Sequence, residues 1–239
     1  MPNPLQVSLE RRDRLEPHEV TIVERLAERS KLVPAGTDMV REGESPQHSL
    51  LMLSGWSARY NILSDGKRQI SALHIAGDFV DLHSLLLKPM DHSVGALTDC
   101  TVAEVPHTLL RDISATAPHL TRMLWMLTVI DAAIFRRWLV ASGHLPAPGQ
   151  IAHCFCDLFV RLSVVGLAEE FAFDLPVSQA DVGDAMGLSA VHVNRCLKSL
   201  RRDGLLRWHG GRVTILDWDG LRALAEFDAA YLNLERRDR

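Results

Sequence analysis

The feature that most constrains the fold lies between residues 176 and 206, where two amphipathic stretches are separated by a glycine. Ser178 opens the first stretch and is followed three residues later by Asp181, a pairing typical of a helix N-terminus. Gly187 allows the left-handed backbone that ends this helix, and Ser189 then caps a second one. The apolar face of the second helix consists of Val193, Leu197 and Leu200. The segment therefore predicts two helices joined by a tight turn.

The second of these helices is basic, although the chain as a whole carries a net charge of −4. The segment Ser189 to Arg212 holds six basic residues against Asp203, a net charge of +5 (6 − 1). The basic residues are Arg195, Lys198, Arg201, Arg202, Arg207 and Arg212. Gly210-Gly211 marks the tip of a following β-hairpin, which would form a wing. A helix-turn-helix with a basic second helix and a wing indicates double-stranded DNA as the partner.

The predicted DNA-binding residues lie at the start of both helices, on the outward face of the second helix and on the hairpin. They are Ser178, Gln179, Ser189, Ala190, Val191, His192, Asn194, Arg195, Lys198 and Arg212. Arg195 can hold guanine O6 and N7 as a bidentate fork, and Val191 can pack against a thymine methyl group. We therefore expect sequence-specific recognition of bases in the major groove.

Residues 31–106 predict a small β-roll or jelly roll. Turn signals separate short segments at intervals of about 8–12 residues. Asp65-Gly66 between two alternating segments is a hairpin signal, because glycine tolerates the positive φ of a tight turn. A short amphipathic helix over residues 16–29 is predicted to precede the roll.

Residues 118–142 predict the longest helix, about 37 Å at about 1.5 Å per residue. Its apolar residues recur every three or four positions, and we interpret this stripe as a dimer interface. The stripe consists of Leu120, Leu124, Leu127, Ile130, Ile134 and Trp138. Asp131 beside it is interpreted as a solvated edge position, with a register-fixing polar pair as the alternative. Two glycines and two prolines between Gly143 and Gly149 mark a hinge.

The chain of 239 residues is therefore predicted to be an α+β protein in three parts. These are an effector-type β-roll domain over 1–117, a dimerisation helix and hinge over 118–145, and a winged helix-turn-helix domain over 146–239. The longest helix is interrupted by charges and lacks the about 20 apolar residues of a membrane span. The N-terminus does not resemble a secretory signal. We expect a cytoplasmic protein with no membrane partner.

The order of these elements resembles the Crp/Fnr family of transcription regulators over nearly the whole chain. The resemblance is carried by Gly187 to Arg195, Leu197, Leu200, Gly204-Leu205 and Gly77-Asp78-Phe79. It implies a cyclic-nucleotide-binding-like β-roll that senses an effector, and a homodimer that regulates transcription from two-fold DNA sites. It also implies contact with RNA polymerase. The alternative is a ligand-binding signalling module whose winged helix mediates protein contacts.

The candidate effector pocket departs from the cyclic-nucleotide-binding relatives. It comprises Leu82, His83, His92 and Ser93. Leu82 stands at the family's Glu position, and His92-Ser93 stands at its Arg-Ser pair. Residues 69–103 contain four Asp against Lys88 alone, a net charge of −3 (1 − 4), which disfavours a cyclic phosphate. No cysteine precedes Cys100, so the N-terminal iron–sulfur cluster of another branch is excluded.

His83 leaves one cofactor alternative open. The segment 77–84 resembles the stretch of carbon-monoxide-sensing haem regulators in which a Cys and a His ligate haem, but Asp81 stands at the Cys position. Haem at His83 is the alternative to an unknown effector, and a lone His is more often a hydrogen-bonded structural residue. His74, His83 and His92 recur every nine residues. Because this recurrence is typical of strand repeats, no metal ion is expected.

Neither catalysis nor thiol chemistry is predicted. No nucleophile elbow, Walker loop, paired carboxylates or His-Glu-x-x-His motif is present, so we do not expect an enzyme. Cys154, Cys156 and Cys196 are interpreted as buried free thiols.

Overall fold

The computed structural model describes residues 3–237, which form two compact units. The first unit comprises residues 3–62, 71–132 and 233–237, and the second comprises 63–70 and 133–232. None of the helices formed by the described residues is long and apolar enough to cross a membrane.

This division differs from the predicted domain bounds. Along the chain, the boundary between the two units falls between residues 132 and 133, inside the longest helix, and not at 117 or 145. The tail from Asn233 belongs to the first unit and not to the DNA-binding part. The Arg237 amide donates to the Arg12 carbonyl at 3.0 Å. A hydrogen bond between two backbone groups does not depend on side-chain identity, so the sequence pattern does not reveal it. The predicted bounds at 1 and 239 lie outside the described residues.

The first unit combines short helices with the strands of the predicted roll. Its first helices are α1 (Pro4–Glu10) and α2 (Pro17–Leu26). The strands are β1 (Ser30–Val33), β2 (Asp38–Val40), β3 (His48–Ser54), β4 (Ser57–Ile62), β5 (Arg68–His74), β6 (Ser93–Ala96) and β7 (Cys100–Pro106). A 3₁₀ helix, Leu82–Leu85, lies between β5 and β6. Helix α3 (His107–Thr116) and the long α4 (Pro118–His144) follow, α4 where the sequence predicts it. Residues 68–70 of β5 and 133–144 of α4 belong to the second unit.

The strands of the roll form two antiparallel sheets with the orders β1-β7-β3 and β2-β6-β4-β5. Strand β3 is covered on both sides. Leu50 and Met52 point into a buried cluster that contains side chains from both sheets. Leu51 points the other way, into a cluster with side chains of the helices. The continuous apolar run at the centre of β3 follows from this double coverage.

The second unit is built around α5 (Ala147–Val164) and the predicted helix-turn-helix. Its other elements are β8 (Ala168–Glu169), β9 (Ala172–Asp174), α6 (Gln179–Met186), α7 (Ala190–Arg202), β10 (Leu206–His209), β11 (Arg212–Ile215) and α8 (Trp218–Leu224). A second 3₁₀ helix is Ala229–Leu232. The strands form one sheet in the order β10-β11-β9-β8. Gly210 and Gly211 turn the β10–β11 hairpin with φ of 60° and 78°, as the sequence predicts.

A histidine at the start of α4 bridges two buried carboxylates. His119 Nδ1 lies 2.8 Å from Glu19 Oε2, and His119 Nε2 lies 3.2 Å from Asp13 Oδ2. Burial acts to lower the pKa of His119, but the hydrogen bonds to Glu19 and Asp13 outweigh it and raise the pKa above 6.5. Burial acts to raise the pKa of Glu19, and the bonds from the Glu16 backbone and His119 hold it below 4.5. The bridge therefore ties α4 to the N-terminal helices most strongly when both groups are charged.

The His119 bridge makes stability depend on pH. Because the folded pKa of His119 is raised, its contribution is complete below pH 6.5 and is lost as pH rises through the folded value. The contribution of Glu19 is present above pH 4.5 and is lost as pH falls below it. We expect His119→Gln to remove about 1.5–3 kcal/mol at pH 6 and much less at pH 9. Thermal unfolding across this range measures the difference.

The exposed His18 of α2 provides the control. His18→Gln should leave the melting temperature unchanged at both pH values. An equal loss at pH 6 and pH 9 in His119→Gln would show that the bridge contributes packing and not charge.

Candidate DNA-binding surface and effector cluster

The two helices of the helix-turn-helix begin with the predicted caps. Ser178 Oγ accepts from the Asp181 amide at 3.0 Å, and Asp181 Oδ2 accepts from the Ser178 amide at 2.8 Å. Ser189 Oγ accepts from the His192 amide at 3.2 Å. Gly187 adopts φ 66° at the end of α6, the left-handed conformation that the turn requires. Both caps and the turn predicted from sequence are therefore confirmed.

Helix α7 presents one face inward and one outward. Val193, Cys196 and Leu200 are buried, while Leu197 is half-buried. Most of the predicted base-contacting residues are exposed: Ala190, Val191, Arg195 and Lys198. His192 is half-buried at the same surface. Val191 is 71% exposed, so its methyl groups are free to contact a partner.

Three of the predicted DNA-binding residues have other partners. Asn194 Nδ2 donates to Gln179 Oε1 at 3.1 Å, so these two side chains tie α7 to α6. Arg212 Nη1 donates to Asp174 Oδ1 at 2.8 Å. Both members of this last pair are exposed, and exposed pairs contribute at most about 1 kcal/mol, so Arg212 can exchange Asp174 for a phosphate.

A groove of about 460 Å³ lies beside the outward face of α7. Its lining includes Pro148, His192, Arg195, Lys198 and Arg202. The guanidinium and ammonium groups give it a positive potential. The surface can therefore accept an anionic backbone next to the positions where Val191 and Arg195 are predicted to contact bases.

Gly183, in the middle of α6, is a residue of the helix-turn-helix that the sequence analysis missed. A Cβ at this position would lie 2.4 Å from the Leu188 carbonyl oxygen. The Leu188 amide donates back to the Gly183 carbonyl at 2.9 Å, so the turn passes directly over this glycine. Because Gly183 is an ordinary helical residue by pattern, only the three-dimensional approach of the turn reveals its role.

We expect Gly183→Ala to displace α7 from α6 and to weaken DNA binding at least tenfold. The clash with backbone should cost about 1–3 kcal/mol of stability, the range for overpacked sites. The matched control is Gly143→Ala near the end of α4, where an added Cβ meets nothing within 4 Å. Thermal unfolding and DNA titration of both variants measure the effect, and wild-type behaviour of Gly183→Ala would contradict the assigned role.

In the first unit the structure brings together two of the four predicted effector residues. The rings of His83 and His92 have centroids 5.2 Å apart. Asp91, which the sequence analysis did not single out, places Oδ1 2.7 Å from His92 Nδ1. One ligand atom from each of His83, Asp91 and His92 lies within 4.8 Å of the others. We refer to these three residues as the histidine cluster.

The two imidazoles of the histidine cluster are held neutral. Burial lowers the pKa of His83 to about 4, and the positive charge of Arg59 and the neighbouring His92 act in the same direction. Burial and Arg59 also lower the pKa of His92, although Asp91 opposes them. Neutral imidazoles offer a lone pair to a ligand.

Arg59 of β4 connects the region of the histidine cluster to α4. Its Nη2 lies 2.9 Å from Asp131 Oδ2 and donates to the Val80 carbonyl at 3.2 Å. Asp131 is therefore half-buried and paired within its own chain, a partner that neither interpretation drawn from the sequence included. Helical periodicity places Asp131 on a face of α4 but does not show that a strand distant in sequence supplies the partner.

The other two predicted effector residues have structural roles. Leu82 packs against the apolar cluster shared with the helices. Ser93 Oγ accepts from the Glu42 amide at 3.1 Å. The alignment of the sequence with cyclic-nucleotide-binding relatives places these residues at ligand positions. In the structure their side chains instead contact other residues of the same chain.

The surroundings of His83 do not fit haem. Asp81, at the position of the relatives' Cys ligand, is fully buried, and its Oδ1 accepts from the Leu50 amide at 2.6 Å. Burial raises the pKa of Asp81 to about 7, and nothing in these contacts supplies an axial ligand. The His83 ring packs against His92 and close to charged groups, instead of lining an apolar slot for a macrocycle.

The cysteines are free and buried, as interpreted from the sequence for three of them. Burial raises the pKa of Cys154 and Cys196, and raises the pKa of Cys156 to about 12. Buried thiols of raised pKa are poor nucleophiles at neutral pH.

The predicted dimer stripe on α4 is wrong. Leu120, Leu124, Ile130, Ile134 and Trp138 are buried by their own chain, and Leu127 is partly buried. The periodicity of the sequence identifies an apolar face but does not show whether the chain's own core covers it. A second apolar series is exposed instead. It contains Trp125, Val129, Ala132 and Leu139 at steps of four, three and seven residues.

The two series lie on opposite sides of α4. Trp125 and Ile134 are nine residues apart (134 − 125), about 2.5 turns of 3.6 residues. The side chain of Trp125 is 70% exposed and that of Leu139 is 63% exposed. Steps of three and four residues are typical of the seam between paired helices. We call Trp125, Val129, Ala132 and Leu139 the outer seam.

Comparison with known proteins gives a consistent result for both units. The Crp-like helix-turn-helix domain matches residues 149–224, and the cyclic nucleotide-binding domain matches residues 30–117. The transcriptional activator protein FnrA of Stutzerimonas stutzeri is 26% identical over 200 residues, covering 84% of this chain and 82% of its own. The fumarate and nitrate reduction regulatory protein of Escherichia coli K12 is 25% identical over 211 residues, with coverages of 88% and 84%.

The fold is also shared with solved structures. FixK2 from Bradyrhizobium japonicum superimposes with a TM-score of 0.73 at 24% identity, covering 82% of this chain and 96% of that chain. The predicted α+β fold, with β-roll, long helix and winged helix-turn-helix, is confirmed. The chain therefore belongs to the Crp/Fnr family of DNA-binding transcription regulators, which have an N-terminal sensory domain.

Proposed function

We propose that this regulator binds two-fold DNA sites as a homodimer and reads bases through the first two turns of α7. The observation that carries the proposal is the outward face of α7, where the exposed Val191 stands beside the exposed Arg195 and Lys198. The family resemblance supports contact with RNA polymerase and a place of action in the cytoplasm. Transcription regulators of this family are not enzymes, and we assign no catalysis.

The alternative, a winged helix that contacts only protein, is less well supported. A net charge of +5 between Ser189 and Arg212, on a chain of net charge −4, suits a polyanion. Binding to DNA phosphates releases counterions, so the affinity must fall steeply with salt. A protein-only role predicts no such dependence.

Replacing Arg195 tests base reading. We expect Arg195→Ala to weaken binding to the operator by about 1–3 kcal/mol and to relax the preference for guanine at one position of each half-site. The matched control is Arg195→Lys, which keeps the charge but loses the bidentate fork. Fluorescence anisotropy with operators selected from a random library measures both variants.

The outcomes of this comparison are distinct. If the Arg195→Lys variant keeps the full preference for guanine, Arg195 contacts a phosphate and another residue reads the base. Lys198→Ala should instead weaken binding to all sequences about equally and reduce the slope of log affinity against log salt by about 1.

The dimer is proposed to form along the outer seam of α4. An exposed Trp in a helical series of exposed apolar residues is typical of a surface that contacts another protein. Pairing of two such helices buries this surface and matches the two-fold symmetry of the DNA site. The buried stripe of the same helix remains available to hold each protomer together.

Trp125→Glu tests the outer seam. Placing a carboxylate at its most exposed aromatic residue should weaken dimerisation by about 2 kcal/mol or more, the range for interface aromatic anchors. Sedimentation velocity measures the shift toward monomer. Ala115→Glu, which adds the same charge at an exposed position of α3, should leave the dimer intact. A dimer unchanged in Trp125→Glu would place the interface elsewhere.

The proposed mechanism couples the roll to α4. The Arg59–Asp131 pair joins β4 to the dimer helix within the first unit. A ligand that changes the position of Arg59 therefore acts on α4 directly. Rotation of α4 in the dimer would alter the spacing of two recognition helices, which must lie about 34 Å apart on successive turns of DNA.

A further inference from the structure

We propose that the histidine cluster binds one divalent first-row transition-metal ion, with one ligand each from His83, His92 and Asp91. This inference rests on the proposed function of the roll as a sensory domain, and it names the chemical class of its effector. It differs from the expectation of no metal ion drawn from the sequence. The sequence repeat joins His83 and His92 to His74 and gives no indication of Asp91.

The geometry of the three residues suits one ion. Ligand atoms of a metal at 2.0–2.2 Å lie at most about 4.4 Å apart. The three candidate atoms lie within 4.8 Å of one another, and adjacent ligands of a tetrahedral ion are about 3.4 Å apart, so the ligand atoms must approach each other by up to about 1.4 Å to complete the site. The 2.7 Å between Asp91 Oδ1 and His92 Nδ1 is a hydrogen-bond distance, so a metal ion held by both atoms would displace the proton between them.

A purely structural role does not account for the Nε2 of His92. A structural buried histidine normally has both ring nitrogens hydrogen-bonded. Among the described residues, the buried Nε2 of His92 has no hydrogen-bond partner. His92 is only 6% exposed, so water does not readily replace the missing partner. The rings of His83 and His92 pack against each other beside this nitrogen.

The charge of the surroundings favours a cation over an anion. Arg59 and Asp131 form an ion pair at 2.9 Å and offset each other. Asp91 then leaves the site with a net charge of −1. An anionic effector would need the Arg59 guanidinium, which is already bound to Asp131 and the Val80 carbonyl.

The ligand set selects the class of metal. Two imidazoles and one carboxylate suit Zn²⁺, Fe²⁺, Co²⁺ or Ni²⁺ and do not suit Ca²⁺ or Mg²⁺, which prefer oxygen ligands. Three protein ligands leave at least one position open. Such an open site can exchange its metal or take a small exogenous ligand, whereas closed structural sites have four protein ligands.

Metal binding is measured on full-length, tag-free protein stripped with EDTA. Co²⁺ is the spectroscopic probe, because its visible d–d bands report nitrogen and oxygen ligands directly, and Zn²⁺ displaces it in a competition titration. We expect one Co²⁺ per chain. His83→Ala and Asp91→Asn should each weaken binding by at least tenfold, while His18→Ala, at an exposed histidine of α2, should bind as wild type.

The half-buried His83 and the exposed Asp91 are chosen because their replacement is tolerated better than that of the buried His92. Melting temperatures of the metal-free variants verify that each is folded. Binding of Co²⁺ that is equal in wild type, His83→Ala and Asp91→Asn overturns the proposal. A Soret band in the isolated protein, or effector binding that depends on Arg59 and not on His83, overturns it as well.

DNA titration of the same samples separates this inference from the proposed function. Metal-free and metal-loaded wild type should differ in affinity for the operator, and His83→Ala should not respond to metal. Palindrome binding without metal binding refutes the metal site and leaves the proposed function standing. Metal binding without any affinity for DNA refutes the proposed function and leaves the site.

Discussion

Helix α4 carries apolar side chains on two opposite faces, and a chain can cover only one of them by itself. The face with Ile130, Ile134 and Trp138 is covered by its own chain. The face with Trp125 and Leu139 is not. Folding of each chain and the proposed pairing of two chains therefore use the same helix without competing for the same residues. The inner face therefore stabilises the folded chain, while the contacts of the outer face can change in response to a change in the roll.

The Arg59–Asp131 pair is the contact that can transmit a change in the roll to α4. It joins a strand of the roll to the middle of α4, at the height where the outer seam has Val129 and Ala132. Partly buried ion pairs keep their direction better than exposed pairs, because fewer side-chain conformers compete. A local change of charge near Arg59 thus has a short and stiff route to the helix, through one guanidinium.

Sequence alone predicts the helix-turn-helix and the hairpin of the second unit because their determinants are local. Ser178, Gly187 and Ser189 act through backbone atoms within three residues, so their roles follow from spacing. The partner of Asp131 lies 72 residues away (131 − 59) and depends on pairing between distant segments. The approach of Leu188 to Gly183 and the packing of His83 against His92 depend on the path of the backbone, which residue spacing does not show. The predicted dimer stripe shows the same limit. The period of an apolar pattern identifies an apolar face of a helix but does not show whether the chain itself or a second protomer covers it. Helices α1 and α3 were missed because neither carries a long periodic pattern.

The first turn of α7 contributes little to the fold that holds it. Ala190 and Val191 are exposed, and the helix is anchored by its cap, by the buried Val193 and by the Asn194–Gln179 bond. Substitutions at the two exposed positions would therefore change the bases that the helix is proposed to read, at almost no cost in stability. Descendants of one ancestral regulator can in this way acquire separate sets of target promoters after gene duplication, while the scaffold stays the same.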